Sequence, residues 1–298
     1  MDKLNDNHEL EGPDKQRAAK KSTLVSVVVN IGLTVSQVFA GIVSGSQGLI
    51  ADGIHSLTDL IADFVVLFAN HHSAKEADDD HHYGHQRYET AASLFLGVSL
   101  LAVGMGMLWS AGNKIIHPMA SGQIKILALY VALGSLVAKE VLFRYMLSVA
   151  ERVRSSMLVA NAWHARSDAA SSLVVSIGIV GALLGYPILD AVGALVVGLM
   201  VAKTGWEFSW EALHDLMDRS VSEEEHVRIE EIISETEGVK GFHALRTRKM
   251  GDMILVDVHI DVDHAATVKE GHDIALAARN RIMKELPVLN VMTHIDPV

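Results

Sequence analysis

The sequence predicts a membrane protein in which an all-α, six-helix transmembrane domain precedes a small α+β domain. Six long apolar runs lie between residues 22 and 206, and a helix needs about 20 apolar residues to cross a bilayer. After about Leu216 the chain becomes strongly charged and has no apolar run of that length. The predicted organisation is a polar N-terminal tail at 1–21, the transmembrane domain at 22–208 and the α+β domain at 209–298.

The composition excludes several functions. There is no cysteine, so disulfides and thiolate ligands are excluded, and soft-metal chemistry such as that of Cu(I) is disfavoured. The formal net charge is −11, which argues against nucleic acid as a partner. The N-terminus is charged and lacks the early apolar segment of a cleavable signal peptide.

The first predicted span has no charged residue, and Gly45-Ser46 separates it from the second. Pro118 closes the loop after the third span, and Gly185-Tyr186-Pro187 is a tight break before the sixth. The six predicted spans cover residues 22–43, 48–70, 91–112, 124–143, 158–184 and 188–206.

The distribution of lysine and arginine predicts the orientation of these spans. Six spans place both termini on one side, together with the connectors that carry Lys75 and Arg87 and the arginines of 144–154. Two of the three opposite loops, 44–47 and 185–187, carry no lysine or arginine. Because positive residues are enriched in cytoplasmic loops, both termini are predicted to be cytoplasmic.

Two His-xxx-Asp pairs are the central functional signal. His55 and Asp59 lie in the second span, and His164 and Asp168 lie in the fifth. A spacing of four places each pair on one helix face. Ionisable groups at membrane depth are costly, and one divalent ion would neutralise both carboxylates while using both imidazoles. Four such ligands suit tetrahedral Zn²⁺. Polar helix contacts or a metal-free proton relay would also explain the pairs.

Two further groups of possible ligands lie outside the spans. In the connector after the second span, Asp78, His81 and His85 have a spacing compatible with one metal ion, although an acidic loop is also what a solvated surface produces. In the C-terminal domain, five residues on different elements could build a two-metal cluster, although each alone would be read as surface. These five are His243, His259, His272, His294 and Asp296.

The sequence of the C-terminal domain predicts the element order αββαβ. Ser222 and Glu225 form a capping-box pattern for a helix to about Glu235, and Thr267 and Glu270 form another for a helix to about Leu286. Strands are predicted at 239–249, 253–263 and 290–296, with a hairpin turn at 250–252. In the second strand, the branched apolar residues alternate with Asp257, His259 and Asp261.

These motifs together resemble the cation diffusion facilitators, a family of proton-coupled metal exporters that includes bacterial zinc/proton antiporters. The resemblance extends from about Thr23 to Pro297. It rests on GSQGLIADGIHSLTD, DDDHHYGHQRYE, HARSD, LMDR, HALRTR and HIDP. It implies six transmembrane helices, a cytoplasmic ferredoxin-like domain, a homodimer and the bacterial inner (cell) membrane. It also implies Zn²⁺ as substrate and structural ion, with H⁺ as the counter-ion.

The resemblance also assigns residues. His55, Asp59, His164 and Asp168 match the transport site, and Asp78, His81 and His85 match a loop site of some bacterial members. The five C-terminal ligands match a binuclear site in which His272 has the bridging place. Arg87 and Asp218 match a charged pair that ties the membrane and cytoplasmic domains together.

One departure from the family pattern concerns metal choice. Many bacterial relatives have Asp where this chain has His55, and the His form is typical of zinc-selective eukaryotic members. More nitrogen should favour Zn²⁺, Co²⁺, Ni²⁺ or Cd²⁺ over Mn²⁺, with Fe²⁺ less favoured.

A membrane-embedded metalloenzyme and a metal sensor are the two alternatives to a transporter. A membrane-embedded metalloenzyme usually leaves a metal coordination position open for water, and four strong ligands on two helices argue instead for a closed binding site. A metal sensor would not need ligands at membrane depth. The expected function is therefore metal transport by alternating access and not enzymatic catalysis.

Overall fold

The computed structural model describes residues 13–73, 75–117, 124–152 and 156–298. Some helical side chains lie outside the described set, namely those of residues 13–20, 23, 63, 66, 67, 70, 71, 156–158, 160, 161, 164 and 167.

In the part of the chain that the structure describes, six long helices precede an α+β domain, as predicted. The elements are α1 Pro13–Ser44, α2 Gln47–Ser73, α3 Arg87–Ile116, α4 Ile126–Arg152, α5 Ser156–Leu183, α6 Ile188–Leu216, α7 Glu223–Ser234, β1 Gly241–Met250, β2 Met253–Val262, α8 Val268–Glu285 and β3 Val288–Pro297. Helix α1 begins at Pro13, so residues 13–21 of the predicted tail are helical. Proline suits this first position because no intrahelical partner exists there for its missing N–H.

Four helical segments among the described residues are long and apolar enough to cross a membrane. They are Leu24–Ser44, Arg87–Ile116, Ile126–Arg152 and Ile188–Leu216. The described part of α5 contributes a shorter apolar segment, Asp168–Leu183, and α2 does not meet both criteria within its described residues.

The chain forms two compact units. The first contains Met1–Phe64 and Ser99–Trp206, and the second contains Val65–Val98 and Glu207–Val298. In the first unit, small side chains let helices pack closely. A Cβ atom at Gly104 would lie 2.6 Å from the backbone nitrogen of Ala202, so α3 and α6 approach at backbone distance. Large apolar side chains of this unit, such as Phe39 and Trp109, remain mostly exposed.

The C-terminal sheet of the second unit has the strand order β1-β2-β3, with β1 antiparallel and β3 parallel to β2. The predicted alternation in β2 is confirmed: Ile254, Val256, Val258, Ile260 and Val262 are all buried. They pack with buried residues of α7 and α8, including Ile233 and Ile282. The opposite face of β2 therefore carries Asp257, His259 and Asp261.

Both predicted capping boxes are present. Ser222 and Thr267 accept hydrogen bonds from the backbone N–H groups of Glu225 and Glu270, whose carboxylates accept bonds in return. The hydrogen bonds from Thr267 lower the pKa of Glu270 below 4.5. Because the folded pKa is depressed, the carboxylate supports the helix above pH 4.5, and this support is lost as the pH falls through the folded pKa.

Thr267→Ala is expected to destabilise α8 by about 1 kcal/mol, because an unsatisfied N-terminal N–H group replaces the capped one. Hydrogen exchange of the full-length protein, followed by mass spectrometry, should show roughly fivefold faster exchange in α8. Ser222→Ala is the matched control, since it should accelerate exchange in α7 and not in α8. Unchanged exchange of α8 in Thr267→Ala would contradict the prediction.

Candidate functional site

Three groups of nitrogen and oxygen donors come together in the described residues, and each contains residues singled out from the sequence. The first lies between α2 and α5. One ligand atom each from His55, Asp59 and Asp168 lies within 4.8 Å of the others. His55 and Asp59 are one helical turn apart, with Nδ1 of His55 3.6 Å from Oδ2 of Asp59.

All three side chains are partly buried, and two of them are carboxylates. Two carboxylates held this close favour a cation between them. His164 lies one turn before Asp168 on α5, but its side chain falls outside the described residues. The donor set that the structure does describe, one imidazole and two carboxylates, suits a divalent transition metal.

The second group is the loop between α2 and α3. Ligand atoms of Asp78, His81 and His85 also lie within 4.8 Å of one another. Oδ1 of Asp78 accepts hydrogen bonds from the N–H groups of Asp80 and His81, at 3.1 and 2.7 Å. These bonds fold the loop so that both imidazoles reach the same carboxylate, with Nε2 of His85 3.4 Å from Oδ2 of Asp78.

The tautomer of His85 follows from its partners. Nδ1 of His85 lies 3.1 Å from the carbonyl oxygen of Glu76, which can only accept, so Nδ1 carries the proton. In the neutral ring Nε2 then offers a lone pair towards Asp78. A backbone carbonyl that holds the other ring nitrogen is the usual arrangement of a metal-ligating histidine. The residues of this loop therefore fit a metal ion.

The ionisation state of Asp78 also suits the binding of a metal ion. Desolvation raises the pKa of Asp78, but hydrogen bonds from His81 and Asp80 lower that pKa by more. The pKa consequently lies below its usual value of 3.8. Asp78 is therefore an ionised carboxylate at neutral pH.

The third group is a row of histidines across the C-terminal sheet. The register pairs His243 on β1 with His259 on β2, and His259 with His294 on β3. Residues paired in this way project to the same face of a sheet. The ring centroids of His243 and His294 lie 4.9 and 4.7 Å from that of His259.

Asp296 joins this row from the next register position. Its Oδ2 is 2.9 Å from Nδ1 of His259 and 3.5 Å from Nε2 of His243. Its Oδ1 is 3.5 Å from Nε2 of His294. Ligand atoms of His243, His259 and Asp296 lie within 4.8 Å of one another. One carboxylate surrounded by three imidazoles fits a resident divalent metal.

The resemblance gives the bridging place to His272, and in the described chain this residue lies apart from the histidine row. His259 is the histidine that lies between two others. His272 is exposed near the start of α8, and among the described residues the ligand atoms that lie within 4.8 Å of one another are those of His243, His259 and Asp296. The physical reason is that α8 packs on the apolar face of the sheet, whereas the histidine row lies on the polar face.

Arg87 and Asp218 form the pair expected from the resemblance. Nη2 of Arg87 donates to Oδ1 of Asp218 at 2.5 Å, and Nη1 donates to the carbonyl of Leu216 at 3.3 Å. Arg248 approaches the other carboxylate oxygen of Asp218 at 3.9 Å. Both side chains of the Arg87–Asp218 pair remain substantially exposed, so the pair fixes geometry more than it adds stability.

Sequence reasoning did not assign partners to three charged residues near these groups. Asp261 lies 3.2 Å from Nδ1 of His243, where the alternation of β2 alone could have placed it. Asp52 and Lys139 form a buried ion pair at 3.4 Å. Their signal in the sequence was the presence of two opposite charges inside apolar spans.

Known proteins resemble this chain over nearly its whole length. Metal tolerance protein C1 of Arabidopsis thaliana is 35% identical over 92% of the chain, which spans 61% of that relative's length. Magnetosome protein MamB of Magnetospira sp. (strain QH-2) is 35% identical over 91% of the chain and 92% of its own length. Manganese efflux system protein MneP of Bacillus subtilis (strain 168) is 31% identical over 95% of the chain and 98% of its own length.

Family models match both parts of the chain. The cation efflux transmembrane domain matches residues 23–217, and the cytoplasmic domain of cation efflux proteins matches residues 221–298. The first match alone spans more than half of the chain and includes the donors on α2 and α5. The chain therefore belongs to the cation efflux family, also called the cation diffusion facilitators.

Proposed function

We propose that this transporter exports a divalent transition-metal ion, with Zn²⁺ as the preferred substrate, from the cytoplasm in exchange for protons. The family consists of transporters and not enzymes. The observation that carries the proposal is the convergence of His55, Asp59 and Asp168 within 4.8 Å inside the helical unit. His164 is proposed as the fourth ligand, because its position one turn before Asp168 repeats the His55–Asp59 spacing.

The preference for Zn²⁺ rests on ligand chemistry. Imidazole suits Zn²⁺, whereas carboxylate, carbonyl and water ligands suit Mn²⁺. A set of two imidazoles and two carboxylates also has the four ligands that tetrahedral Zn²⁺ takes. The name of MneP makes Mn²⁺ the main alternative, and Fe²⁺, Co²⁺ and Cd²⁺ are further ones.

Proton exchange follows from the same imidazoles. A histidine has an ordinary pKa of about 6.5 and binds metal only when neutral. We infer that the site loads from the cytoplasm, is exposed to the other side by alternating access, and releases its ion as protons take the imidazoles. The protonated site then becomes accessible from the cytoplasm again and releases its protons there.

The other two donor groups are proposed as metal sites of the cytoplasmic side. The loop site would use Asp78, His81 and His85. The C-terminal site would use His243, His259, His294 and Asp296, and His272 joins it only if α8 or a second copy of the chain brings it near. Metal bound there would stabilise a homodimer in the bacterial inner membrane, with both termini in the cytoplasm.

Reconstituted proteoliposomes with an internal pH dye test this function. Vesicles that contain the full-length protein are expected to take up Zn²⁺ faster than Mn²⁺ and to move protons in the opposite direction. Proton movement without dependence on any of the five metals would overturn the proposal. Faster Mn²⁺ flux would overturn the metal preference alone.

His55→Asp is expected to raise the ratio of Mn²⁺ to Zn²⁺ flux about tenfold, equivalent to about 1.4 kcal/mol of relative binding. The reason is that an oxygen ligand replaces a nitrogen ligand. Flux of both ions in the same vesicles measures the ratio. His117→Asp, an exposed histidine after α3, should leave it unchanged. An unaltered ratio in His55→Asp would mean that this position does not set metal choice.

A further inference from the structure

The carboxylate of Asp52 is the most completely satisfied buried charge among the described residues of the helical unit. Its side chain is fully buried, and each oxygen accepts two hydrogen bonds. Oδ1 accepts from Ser171 at 2.8 Å and from Lys139 at 3.4 Å. Oδ2 accepts from Gln37 at 2.5 Å and from Ser172 at 2.6 Å. The donors come from α1, α4 and α5, so four helices meet at this group.

Lys139 has a second contact that reaches the proposed transport site. Its side chain is 4% exposed, and Nζ also donates to the main-chain carbonyl of Asp168 at 3.3 Å. An ammonium has three N–H donors and can serve both acceptors at once. Lys139 therefore connects the carboxylate of Asp52 on α2 with the backbone of a proposed metal ligand on α5.

Ser171 cannot serve both acceptors at once, as Lys139 does. Its hydroxyl lies 2.7 Å from the carbonyl of Asp168 and 2.8 Å from Oδ1 of Asp52. A hydroxyl has one proton to donate, so it serves one of these acceptors at a time. When Ser171 donates to Asp52, the side-chain donor left for the carbonyl of Asp168 is Lys139.

The network lies one helical turn from the donor cluster on both helices. On α2, Asp52 precedes His55 by three residues, and on α5, Ser171 and Ser172 follow Asp168 by three and four residues. Residues at these spacings lie on the same face of a helix. Any shift of α2 against α5 that changes the distance between His55 and Asp168 must therefore also strain the contacts of Lys139.

We propose that Lys139 is a positioning residue of the transport site, which fixes the metal ligands of α2 and α5 relative to each other. This inference rests on the proposed function of that site. Stability alone does not require a buried ion pair, because apolar side chains of similar volume often stabilise a protein equally well or better. A link between the two ligand-bearing helices gives the pair a role in metal binding.

The experiment measures KM and Vmax of Zn²⁺ flux in proteoliposomes that contain full-length variants. Lys139→Met removes the ammonium and keeps the chain length. The double variant Asp52→Asn/Lys139→Met removes both charges, so that no unpaired buried charge remains to prevent folding. Ser171→Ala keeps Lys139 in place, and Lys125→Met changes an exposed lysine just before α4. Thermal melting and size-exclusion chromatography identify the folded variants.

Loss of a hydrogen-bond partner that orients a metal ligand typically weakens metal affinity by roughly 10–100-fold. We expect an increase in KM of that size in the double variant, and in Lys139→Met if it folds, because both lack the donor to Asp168. Ser171→Ala and Lys125→Met should retain a KM close to that of the wild type.

A folded double variant with the wild-type KM would overturn the positioning role, since charge balance alone would then explain the pair. The same KM increase in Ser171→Ala as in the double variant would also overturn it, because the hydroxyl and not the ammonium would hold Asp168. If the proposed function is wrong, the result is different, because the wild-type protein itself would then transport no metal.

Discussion

Asp59→Ala is expected to abolish metal transport by the full-length protein while its C-terminal donor group continues to bind metal. Asp59 lies one turn from His55 and within 4.8 Å of the ligand atom of Asp168. Its removal leaves one carboxylate and weakens charge neutralisation of a divalent ion at membrane depth, where an uncompensated charge is costly. The loss of affinity should exceed the roughly 10–100-fold cost of losing an outer-shell partner.

Two measurements on one purified variant separate this effect from misfolding. Flux in proteoliposomes should fall to the level of empty vesicles, and metal content after dialysis should still report ions held by the C-terminal domain. Glu151→Ala, which removes an exposed carboxylate near the end of α4, should transport like the wild type. Retained flux in Asp59→Ala would remove Asp59 from the transport site.

The local parts of this structure could be predicted because they depend on short-range rules. The spacing of four between His55 and Asp59 sets one helix face. The alternation around His259 sets one sheet face. The Thr267–Glu270 pattern sets a helix start. None of these requires knowledge of which elements are neighbours.

Contacts between distant elements could not be predicted in the same way. The pairing of Asp52 with Lys139 depends on α2, α4 and α5 meeting at one point, and sequence spacing carries no such information. The row His243–His259–His294 depends on the register of three strands, which the turn and the crossover helix α8 determine. The bulge between His243 and Arg246 shifts that register by one residue.

The position of His272 illustrates the same limit. A list of potential ligands gives every histidine equal weight, but a sheet with helices on one face separates them. His259 and His294 belong to the polar face, whereas α8 is tied by Ala275 and Ile282 to the apolar core. The position of His272 relative to the histidine row thus depends on the packing of α8, which the identity of the residue does not reveal.

His259→Ala is expected to remove metal binding by the C-terminal domain. The ring of His259 lies between those of His243 and His294, and Nδ1 contacts Asp296 at 2.9 Å. Its loss leaves the two outer histidines without a central partner. A metal present at a hundred times its Kd stabilises the folded domain by about 2.7 kcal/mol, so this stabilisation should disappear.

Hydrogen exchange of the full-length protein with and without Zn²⁺ measures this stabilisation directly in β2 and β3. The wild type and His264→Ala, which alters a neighbouring but highly exposed histidine, should gain protection in these strands when Zn²⁺ is added. His259→Ala should gain none. Zn²⁺ flux should persist in His259→Ala, because the proposed transport ligands lie on α2 and α5. Zinc-dependent protection that survived in this variant would show that the histidine row is not the metal site of the domain.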